Sequence, residues 1–434
     1  MQDIVKKKPI TKKPSPIPKK NNLSQKKFIN INKKNLPFYI FFLVFFLALI
    51  NLLFMNNNQS LIQNQKTQSV QYNYTDKLNN HTNHQLNQHQ NQEGQILEVE
   101  SSDQANDQEG FKLKYEEPVI FEPNSASPIS GLSCPTNKDR RPIAVMLAAD
   151  KSVRPLSGVG KADLVLEMPV ITNMVIRLMA VYVCHSPSEL GSIRSTRHDF
   201  LTLAKGWDAI LGHWGGSHFA LDYLKQPDVA DNLNALNNPY NAFYRKAGIQ
   251  PPDNGFSSYD RLYQAAKKMN YRLTNQFRGY PHRNESALEN RGPNGTLTVG
   301  FPGIFRVSYE YNRLTNRYYR TWAQRKDKDS INNQRIAPKN IVVMFARSHQ
   351  IQGQYNDLEI EGRGEANVYL EGHHFPAYWE KPKNNCLIGD QRICLNSDPI
   401  RFYKEDGTEI EFIPGQIFIE VLEPGQVLRW QEQG

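Results

Sequence analysis

The sequence predicts an α/β domain followed by a mostly antiparallel β domain, behind a single N-terminal transmembrane helix and a disordered stalk. Three observations support this fold class. Strand-like apolar runs alternate with amphipathic segments over 131–272, which is typical of an α/β unit. Apolar and polar residues alternate with a period of two over 301–434, as in half-buried β-strands. One uncharged run, 36–55, has the length of a membrane-spanning helix.

The first segment, 1–35, predicts a disordered basic tail. It holds eleven Lys and one acidic residue, Asp3, for a net charge of +10, so the rest of the chain carries −1 of the total +9. A Lys/Pro/Asn-rich segment of this kind cannot bury a core. Nucleic-acid binding needs a basic face on the fold itself, so the charge distribution argues against nucleic acid as a partner.

Residues 36–55 predict the transmembrane helix. The run LPFYIFFLVFFLALINLLFM is longer than the apolar region of a cleavable signal peptide and is followed by no small-residue cleavage site. Lysines crowd only its N-terminal flank, so the positive-inside rule places the tail in the cytoplasm and the remainder outside. We therefore expect a single-pass protein of the cell membrane with extracytoplasmic C-terminal domains and the lipid bilayer as a partner of 36–55.

Residues 56–130 predict a flexible stalk. The segment is Asn/Gln-rich and lacks periodic apolar spacing. His81, His84 and His89 lie in it, but no cysteine or rigid element accompanies them, so they do not predict a metal site. No other spacing typical of a metal site or a cofactor motif occurs, and we expect neither a metal nor a cofactor.

The α/β domain is predicted from its apolar runs. Strands are expected at 142–149, 162–168 and 175–183, where β-branched and apolar residues are continuous. DAILGHWGGS, 208–217, predicts a further strand and a tight glycine turn that opens into a helix. Leu, Ala and Met recur at helical spacing over 259–271, which predicts a second clear helix.

A linker rich in Asn, Arg, Gly and Pro is predicted at 273–300, before the mostly β domain of 301–434. FRVSYEYN and RYYRTWA resemble a hairpin, and NIVVMFA (340–346) predicts a buried strand. Asp406-Gly407 lies between two alternating runs, which is a strong hairpin signal.

Two neighbouring stretches, 191–200 and 208–217, predict the walls of one polar cleft. Guanidiniums, hydroxyls and backbone amides suit a phosphate, carboxylate or glycan, and α/β sheets bind ligands at polar loops after their strands. The alternative is structural: Arg194 would pair with Glu167 or Asp163, and the glycines would only form the turn. The candidate ligand-binding residues of the two walls are Arg194, Ser195, Arg197, His213, Gly215, Gly216, Ser217 and His218.

Glu167 and Arg177 are two further candidates, because each is a charge inside an apolar strand. A buried charge is costly unless it is paired, so we expect an ion pair that is either mutual or directed at the cleft. Facing the cleft, Glu167 would be the general base of an envelope-polymer hydrolase or transferase, with a His as the other candidate base.

The function classes are ranked by the motifs. The sequence contains no nucleophile elbow, zinc-protease helix or phosphate-binding loop motif. We therefore favour a non-enzymatic binding protein for an anionic or glycan ligand, or for a protein partner, over a hydrolase. A third hypothesis is a structural scaffold that docks a partner on the β domain.

Four cysteines suit an oxidising compartment. Cys386 and Cys394 flank the segment LIGDQRI, a plausible loop, and a disulfide between them is our hypothesis. Cys134 and Cys184 are a second pair that could be bonded, although Cys184 also ends an apolar run and fits a buried thiol equally well.

Several strings resemble the YerB-like extracytoplasmic lipoproteins, a family with a two-part domain of unknown function. The resemblance covers most of 132–430 and implies a membrane-tethered envelope protein with no established reaction. The chain departs from the family in having a transmembrane anchor where many members have a lipidated cysteine. The strings that carry it are RPIAVML, RPLSGVGKADLVLEM, GSIRSTRHDF and GHWGGSHFA in the first part, and APKNIVVMF, EGRGEANVYLEG and FYKEDGTEIEFIPGQIFIEV in the second.

Overall fold

Four β-sheets and three short α-helices make up the part of the chain that the structure describes. The computed structural model describes residues 114–135, 137–226, 229–383 and 395–433. These residues belong to one compact unit. The helices are α1 (His198–Gly206), α2 (His218–Leu224) and α3 (Tyr259–Lys268).

The strands are short, as expected of a mostly β protein. Those of the first half are β1 (Ile143–Ala148), β2 (Leu164–Pro169), β3 (Ile176–Tyr182), β4 (Leu190–Gly191), β5 (Ile210–His213), β6 (Asn232–Asn234), β7 (Tyr244–Arg245) and β8 (Gly255–Ser257). Those of the second half are β9 (Gly295–Gly300), β10 (Val307–Asn312), β11 (Arg317–Trp322), β12 (Arg325–Lys326), β13 (Asn340–Phe345), β14 (Ser348–Gln352), β15 (Tyr355–Leu358), β16 (Gly362–Leu370), β17 (His373–Lys381), β18 (Arg401–Lys404), β19 (Ile417–Leu422) and β20 (Val427–Glu432).

A single ten-stranded sheet joins the two halves of the chain, in the order β18-β17-β16-β13-β19-β2-β3-β1-β5-β6. β2 and β19 are parallel neighbours, with Leu164 opposite Ile417. Both strands are buried along their whole length and are apolar apart from Glu167 and Glu420, so each needs a strand on either side and cover on both faces. The predicted α/β and β domains are therefore segments of the chain that share one sheet.

Six strands of this sheet, β13, β19, β2, β1, β5 and β6, run in the same direction, and β17, beyond the antiparallel β16, runs that way as well. β3 lies antiparallel between β2 and β1, so the first residues of β3 lie beside the last residues of β2 and β1. The carboxyl ends of the six parallel strands consequently lie along one edge of the sheet. That edge is where open α/β sheets bind ligands.

Both faces of the large sheet are covered. One face packs against α1 and aromatic residues such as Trp207 and Tyr280. The other packs against α3 and a five-stranded sheet of order β12-β11-β10-β9-β20. The remaining strands form the three-stranded sheet β4-β8-β7 and the hairpin β14–β15.

The predicted linker is part of the core. Tyr280 accepts a hydrogen bond of 2.7 Å from the indole N–H of Trp207 and donates one of 3.0 Å to the carbonyl of Ile400. Phe277 is also buried, and Gly295–Gly300 is strand β9. The polar composition of 273–300 predicted a loop, but its aromatic residues anchor the segment.

The end of the predicted stalk also packs on the fold. Ile129 is fully buried, and Glu116 forms an ion pair of 2.9 Å with Arg317. The backbone N–H of Phe121 donates to the side-chain oxygen of Asn284 at 2.8 Å. Residues 114–130, which the sequence assigned to the stalk, are thus part of the folded body, contrary to the predicted start at 131.

Cys134 and Cys184 form a disulfide, with their Cα atoms 4.8 Å apart. This is the second of the two pairs that the sequence left open. The predicted pair Cys386 and Cys394 lies outside the described residues.

None of the helices among the described residues is long and apolar enough to cross a membrane. The basic tail 1–35, the predicted transmembrane segment 36–55 and most of the predicted stalk lie outside the described residues. These segments remain predictions from the sequence.

Candidate functional site

The two predicted cleft stretches lie side by side at the carboxyl edge of the parallel strands. The backbone N–H of Arg194 donates to the carbonyl of Met146 in β1 at 3.0 Å. The carbonyl of Arg194 accepts from the N–H of Trp214, also at 3.0 Å, and the N–H of Thr196 donates to the carbonyl of Gly215 at the same distance. The arginine-bearing segment is therefore held between β1 and the glycine turn that follows β5.

Two arginines converge on Ser195. Arg177, at the start of β3, donates from Nη1 to the carbonyl of Ser195 at 2.7 Å and to its hydroxyl at 3.1 Å. Arg197 donates from Nη1 to the same hydroxyl at 3.2 Å and to the carbonyl of Thr196 at 3.0 Å. The Ser195 side chain thus joins two guanidiniums from different elements, and we call Arg177, Ser195 and Arg197 the arginine cluster.

Two acids near this cluster, Asp150 and Asp199, act to raise the pKa of Arg177 and of Arg197, respectively, but form no ion pair with them. Neither Arg177 nor Arg197 forms an ion pair with a carboxylate among the described residues, and the Nε atom of each is buried without a hydrogen-bond partner. Burial and the nearby charges of Arg197 and Arg194 lower the pKa of Arg177 to about 9. Burial also lowers the pKa of Arg197. Like charges held together in a partly buried place favour a bound anion.

Arg194 is used differently, because its charge is matched by acidic residues. Its Nη2 atom pairs with Asp150, which follows β1, at 3.1 Å, and with Asp253. The structural alternative expected an ion pair here with Glu167 or Asp163. Asp163 instead accepts from hydroxyl and backbone donors elsewhere. Arg194 therefore forms ion pairs, as the structural alternative expected, but its partners are Asp150 and Asp253 from two loops at the sheet edge.

His213 and Ser217 have structural roles in the glycine turn. His213 is fully buried, with Nδ1 2.8 Å from the carbonyl of Gly215 and Nε2 3.1 Å from Oδ1 of Asn232. Burial lowers the pKa of His213, and both ring nitrogens have partners within the protein. The hydroxyl of Ser217 accepts from the N–H of Ala220 at 3.2 Å and caps α2.

The two glycines serve the turn and its packing. Gly215 has φ +67°, a conformation that favours glycine, and its N–H donates to Oδ1 of Asn234 at 3.1 Å. A Cβ atom on Gly216 would lie 3.2 Å from the methyl of Thr196, so the close approach of the two stretches requires a small residue there. The amide of Gly215 is therefore occupied within the protein, contrary to the expectation that it holds ligand oxygens.

The hairpin β14–β15 lies beside the arginine cluster. The ring of Tyr355 lies 5.5 Å from the guanidinium carbon of Arg197 and 5.3 Å from the ring of His218. His218 is exposed at the start of α2. This hairpin was not assigned to the site from the sequence, because its contact with α1 and α2 spans more than a hundred residues of chain.

Glu167 lies on the opposite face of the sheet from Arg177. In the β2–β3 register Arg177 is opposite Met168, whereas Glu167 is opposite Leu178, and neighbouring residues of a strand point to opposite faces. Glu167 is fully buried and forms an ion pair with Arg320 of β11. The expected mutual pair of Glu167 and Arg177 therefore does not form, and Glu167 does not reach the arginine cluster.

A second polar group at this edge was missed by the sequence reasoning. Nε2 of His198 lies 2.7 Å from Oδ1 of Asp357 in the hairpin, and Oδ1 of Asp199 accepts from the N–H of Leu358 at 3.1 Å. Burial raises the pKa of Asp199 to about 6. Burial alone would lower the pKa of His198, but the carboxylates of Asp357 and Asp199 outweigh it and raise that pKa.

The chain matches two families in succession. Residues 129–272 match the family described as "Protein of unknown function (DUF3048) N-terminal domain", and residues 297–419 match its C-terminal domain. The chain is 27% identical over 300 residues to the "Putative lipoprotein YerB" of Bacillus subtilis, covering 68% of this chain and 86% of that protein.

The crystal structure of the YerB protein from Bacillus subtilis has a similar fold. Its TM-score is 0.61, with 24% sequence identity, and the match covers 71% of this chain and 99% of that one. Both halves of the two-part domain are present, in the same order, within the described body. The chain therefore belongs to the YerB-like family, whose two-part DUF3048 domain has no assigned function.

Proposed function

We propose that this chain is a membrane-anchored protein of the cell envelope that binds an anionic ligand outside the membrane, through the arginine cluster. The proposal rests on the guanidiniums of Arg177 and Arg197. Both donate to the hydroxyl of Ser195, and neither has a carboxylate partner among the described residues. The description of the relative as a putative lipoprotein supports a membrane-associated, extracytoplasmic location.

The chemistry of the cluster favours a phosphate or carboxylate group. A guanidinium presents several N–H donors in a plane and binds such groups with charge-assisted hydrogen bonds. A ligand oxygen near Arg177 and Arg197 would supply the ion-pair partner that both guanidiniums lack among the described residues. Outside the cell membrane, phosphodiester polymers and the peptide carboxylates of muropeptides carry these groups, and both belong to the envelope class of ligand expected from the sequence.

The binding test uses the full-length chain in detergent, with a labelled glycerol-phosphate polymer as one probe and a labelled muropeptide as the other. We expect saturable binding to at least one probe that weakens with salt, because the contact is electrostatic. Arg177→Gln and Arg197→Gln should each weaken binding by about 10–100-fold, the value of a lost charge-assisted hydrogen bond.

The matched control is Arg325→Gln, which removes an exposed arginine of β12 and should bind like the wild type. Equal affinity of Arg177→Gln, Arg197→Gln and Arg325→Gln would contradict the proposal. Turnover of either probe in the same samples would contradict a purely binding role and favour a hydrolase or transferase.

A further inference from the structure

A group of two histidines and two aspartates lies beside the arginine cluster, where α1 meets the hairpin β14–β15. The first turn of α1 supplies His198 and Asp199, and the hairpin supplies His349 and Asp357. His349 and Asp357 are directly opposite each other in the hairpin register. The side-chain ligand atoms of His198, Asp199 and Asp357 all lie within 4.8 Å of one another.

The individual distances resemble those of a metal site without its ion. Nε2 of His198 lies 2.7 Å from Oδ1 of Asp357 and 3.4 Å from Oδ1 of Asp199. Nε2 of His349 lies 3.5 Å from the other carboxylate oxygen of Asp357. Two atoms that each lie ~2.0–2.1 Å from a tetrahedral Zn²⁺ are ~3.3 Å apart, so a small expansion of the group accommodates an ion.

A second observation is independent of this spacing. Asp199 is 4% exposed, and its Oδ2 atom is buried without a hydrogen-bond partner although its Oδ1 atom lies beside His198. Nδ1 of His198 is likewise buried without a partner. A buried carboxylate oxygen with nothing to bind is costly, and a cation or a bound water is the usual remedy.

We propose that His198, Asp199 and Asp357, with His349 at the rim, bind a divalent transition-metal ion, with Zn²⁺ the preferred one. Imidazole nitrogen together with carboxylate oxygen is a ligand set that Zn²⁺ accepts, and the two carboxylates match its charge. His349 is 58% exposed and can turn toward the ion. The inference goes beyond the proposed anion binding and does not rest on it.

The ion would also strengthen the attachment of a small hairpin that already packs on the core through Leu358. A two-stranded hairpin is marginally stable by itself. β14 and β15 pair only with each other among the described strands. A metal bound by α1 and by the hairpin would link the two elements, and the stability of the hairpin would then depend on the ion.

The test is a calorimetric titration of the full-length chain in detergent with zinc chloride. His81, His84 and His89 are replaced by Gln in every sample, since these histidines could bind zinc themselves. We expect one equivalent of Zn²⁺ to bind. Asp357→Asn and His198→Ala should each weaken binding by at least ~100-fold, because outer-shell changes alone cost ~10–100-fold.

The matched control is Asp222→Asn, which alters an exposed aspartate of α2 and should bind zinc like the parent. If His198→Ala fails to fold, His349→Ala provides a second ligand variant on the exposed side, and it should weaken binding as well. Zinc should also slow the amide hydrogen exchange of residues 348–358 in the parent protein. It should leave the exchange rate of the same residues unchanged in Asp357→Asn. Absence of binding, or equal binding by Asp357→Asn and Asp222→Asn, would overturn the proposal.

Discussion

At the scale of single residues, Arg320 is a fully buried arginine between the two stacked sheets, and its charge needs buried partners. It pairs with Glu167 of β2 and with Asp327, and its Nε atom donates to the hydroxyl of Tyr309 at 3.1 Å. Glu420 lies next to Glu167 on the neighbouring strand. The guanidinium of Arg320 therefore pairs with two buried acids, and one of them, Asp327, is also paired with Arg154 at 2.8 Å.

We predict that Arg320→Met lowers the free energy of unfolding by about 3–5 kcal/mol, since it leaves Glu167 as an uncompensated buried charge, while Asp327 keeps its ion pair with Arg154. Urea unfolding at neutral pH measures the change. Arg325→Met, on the exposed neighbouring strand, should change stability by less than about 0.5 kcal/mol. Equal stability of the two variants would contradict the assignment of Arg320 to a buried network.

A second residue-scale prediction concerns His282. Burial lowers the pKa of His282 from 6.5 to about 4, so the folded state holds this ring neutral. Between about pH 6.5 and about pH 4, the folded state therefore binds fewer protons at His282 than the unfolded chain does. The free energy of unfolding consequently falls as the pH drops through this range. The loss from this one group is about 3 kcal/mol.

Urea unfolding across this pH range checks the prediction. His282→Gln should show a shallower loss of stability on acidification than the wild type. His373→Gln, which removes an exposed histidine of β17, should follow the wild-type curve. A wild-type slope in His282→Gln would show that His282 does not titrate in this way.

Residue pairings show where sequence reasoning stops. That Glu167 needs an ion-pair partner follows from its apolar strand, but the expected pair with Arg177 or at the cleft was wrong, and the partner is Arg320. The partner, Arg320, is 153 positions away, and no local pattern indicates it. The same applies to Asp253 as the partner of Arg194 and to Asp357 as the partner of His198.

At the scale of elements, local patterns predicted much of the structure. β1, β2, β3 and β13 follow the predicted apolar runs, and the predicted turn with its strand and helix is found as β5, the glycine pair and α2. Each of these features depends on neighbours within a few residues. The site residues of the turn, however, are bonded to one another and to the backbone rather than directed at a ligand.

Ser217 provides a test of that structural role. We predict that Ser217→Ala lowers stability by about 1 kcal/mol, because it removes the cap of α2, and leaves the affinity for the anionic probe within twofold of the wild type. Thermal unfolding and probe binding are measured on the same sample. Ser258→Ala, which removes the cap of α3, is the matched control for stability. A loss of affinity specific to Ser217→Ala would place Ser217 in the binding site.

At the scale of the whole molecule, the shared ten-stranded sheet makes the two halves interdependent. The change of pattern near 273–300 predicted two domains, and the two family matches divide the chain at the same place. The pairing of β2 with β19 could not be predicted, because strand neighbours distant in sequence are not encoded in a local period.

We predict that a chain ending at residue 300 does not fold. Without β19, strand β2 exposes its hydrogen-bonding edge, which favours aggregation. Circular dichroism and size-exclusion chromatography of the truncated chain measure this. Co-expression with 301–434 as a separate chain should restore a soluble one-to-one complex. A monomeric, cooperatively unfolding 1–300 chain would show that the first half is an independent domain.

The central claim is that Arg177 and Arg197 hold one anion between them, and a double-mutant cycle tests it most directly. Affinity for the glycerol-phosphate polymer and for the muropeptide is measured for the wild type, for Arg177→Gln and Arg197→Gln, and for the double variant. The account predicts that each single change weakens binding and that the two effects are not additive, because both guanidiniums contact the same group. Wild-type affinity in the double variant would contradict it.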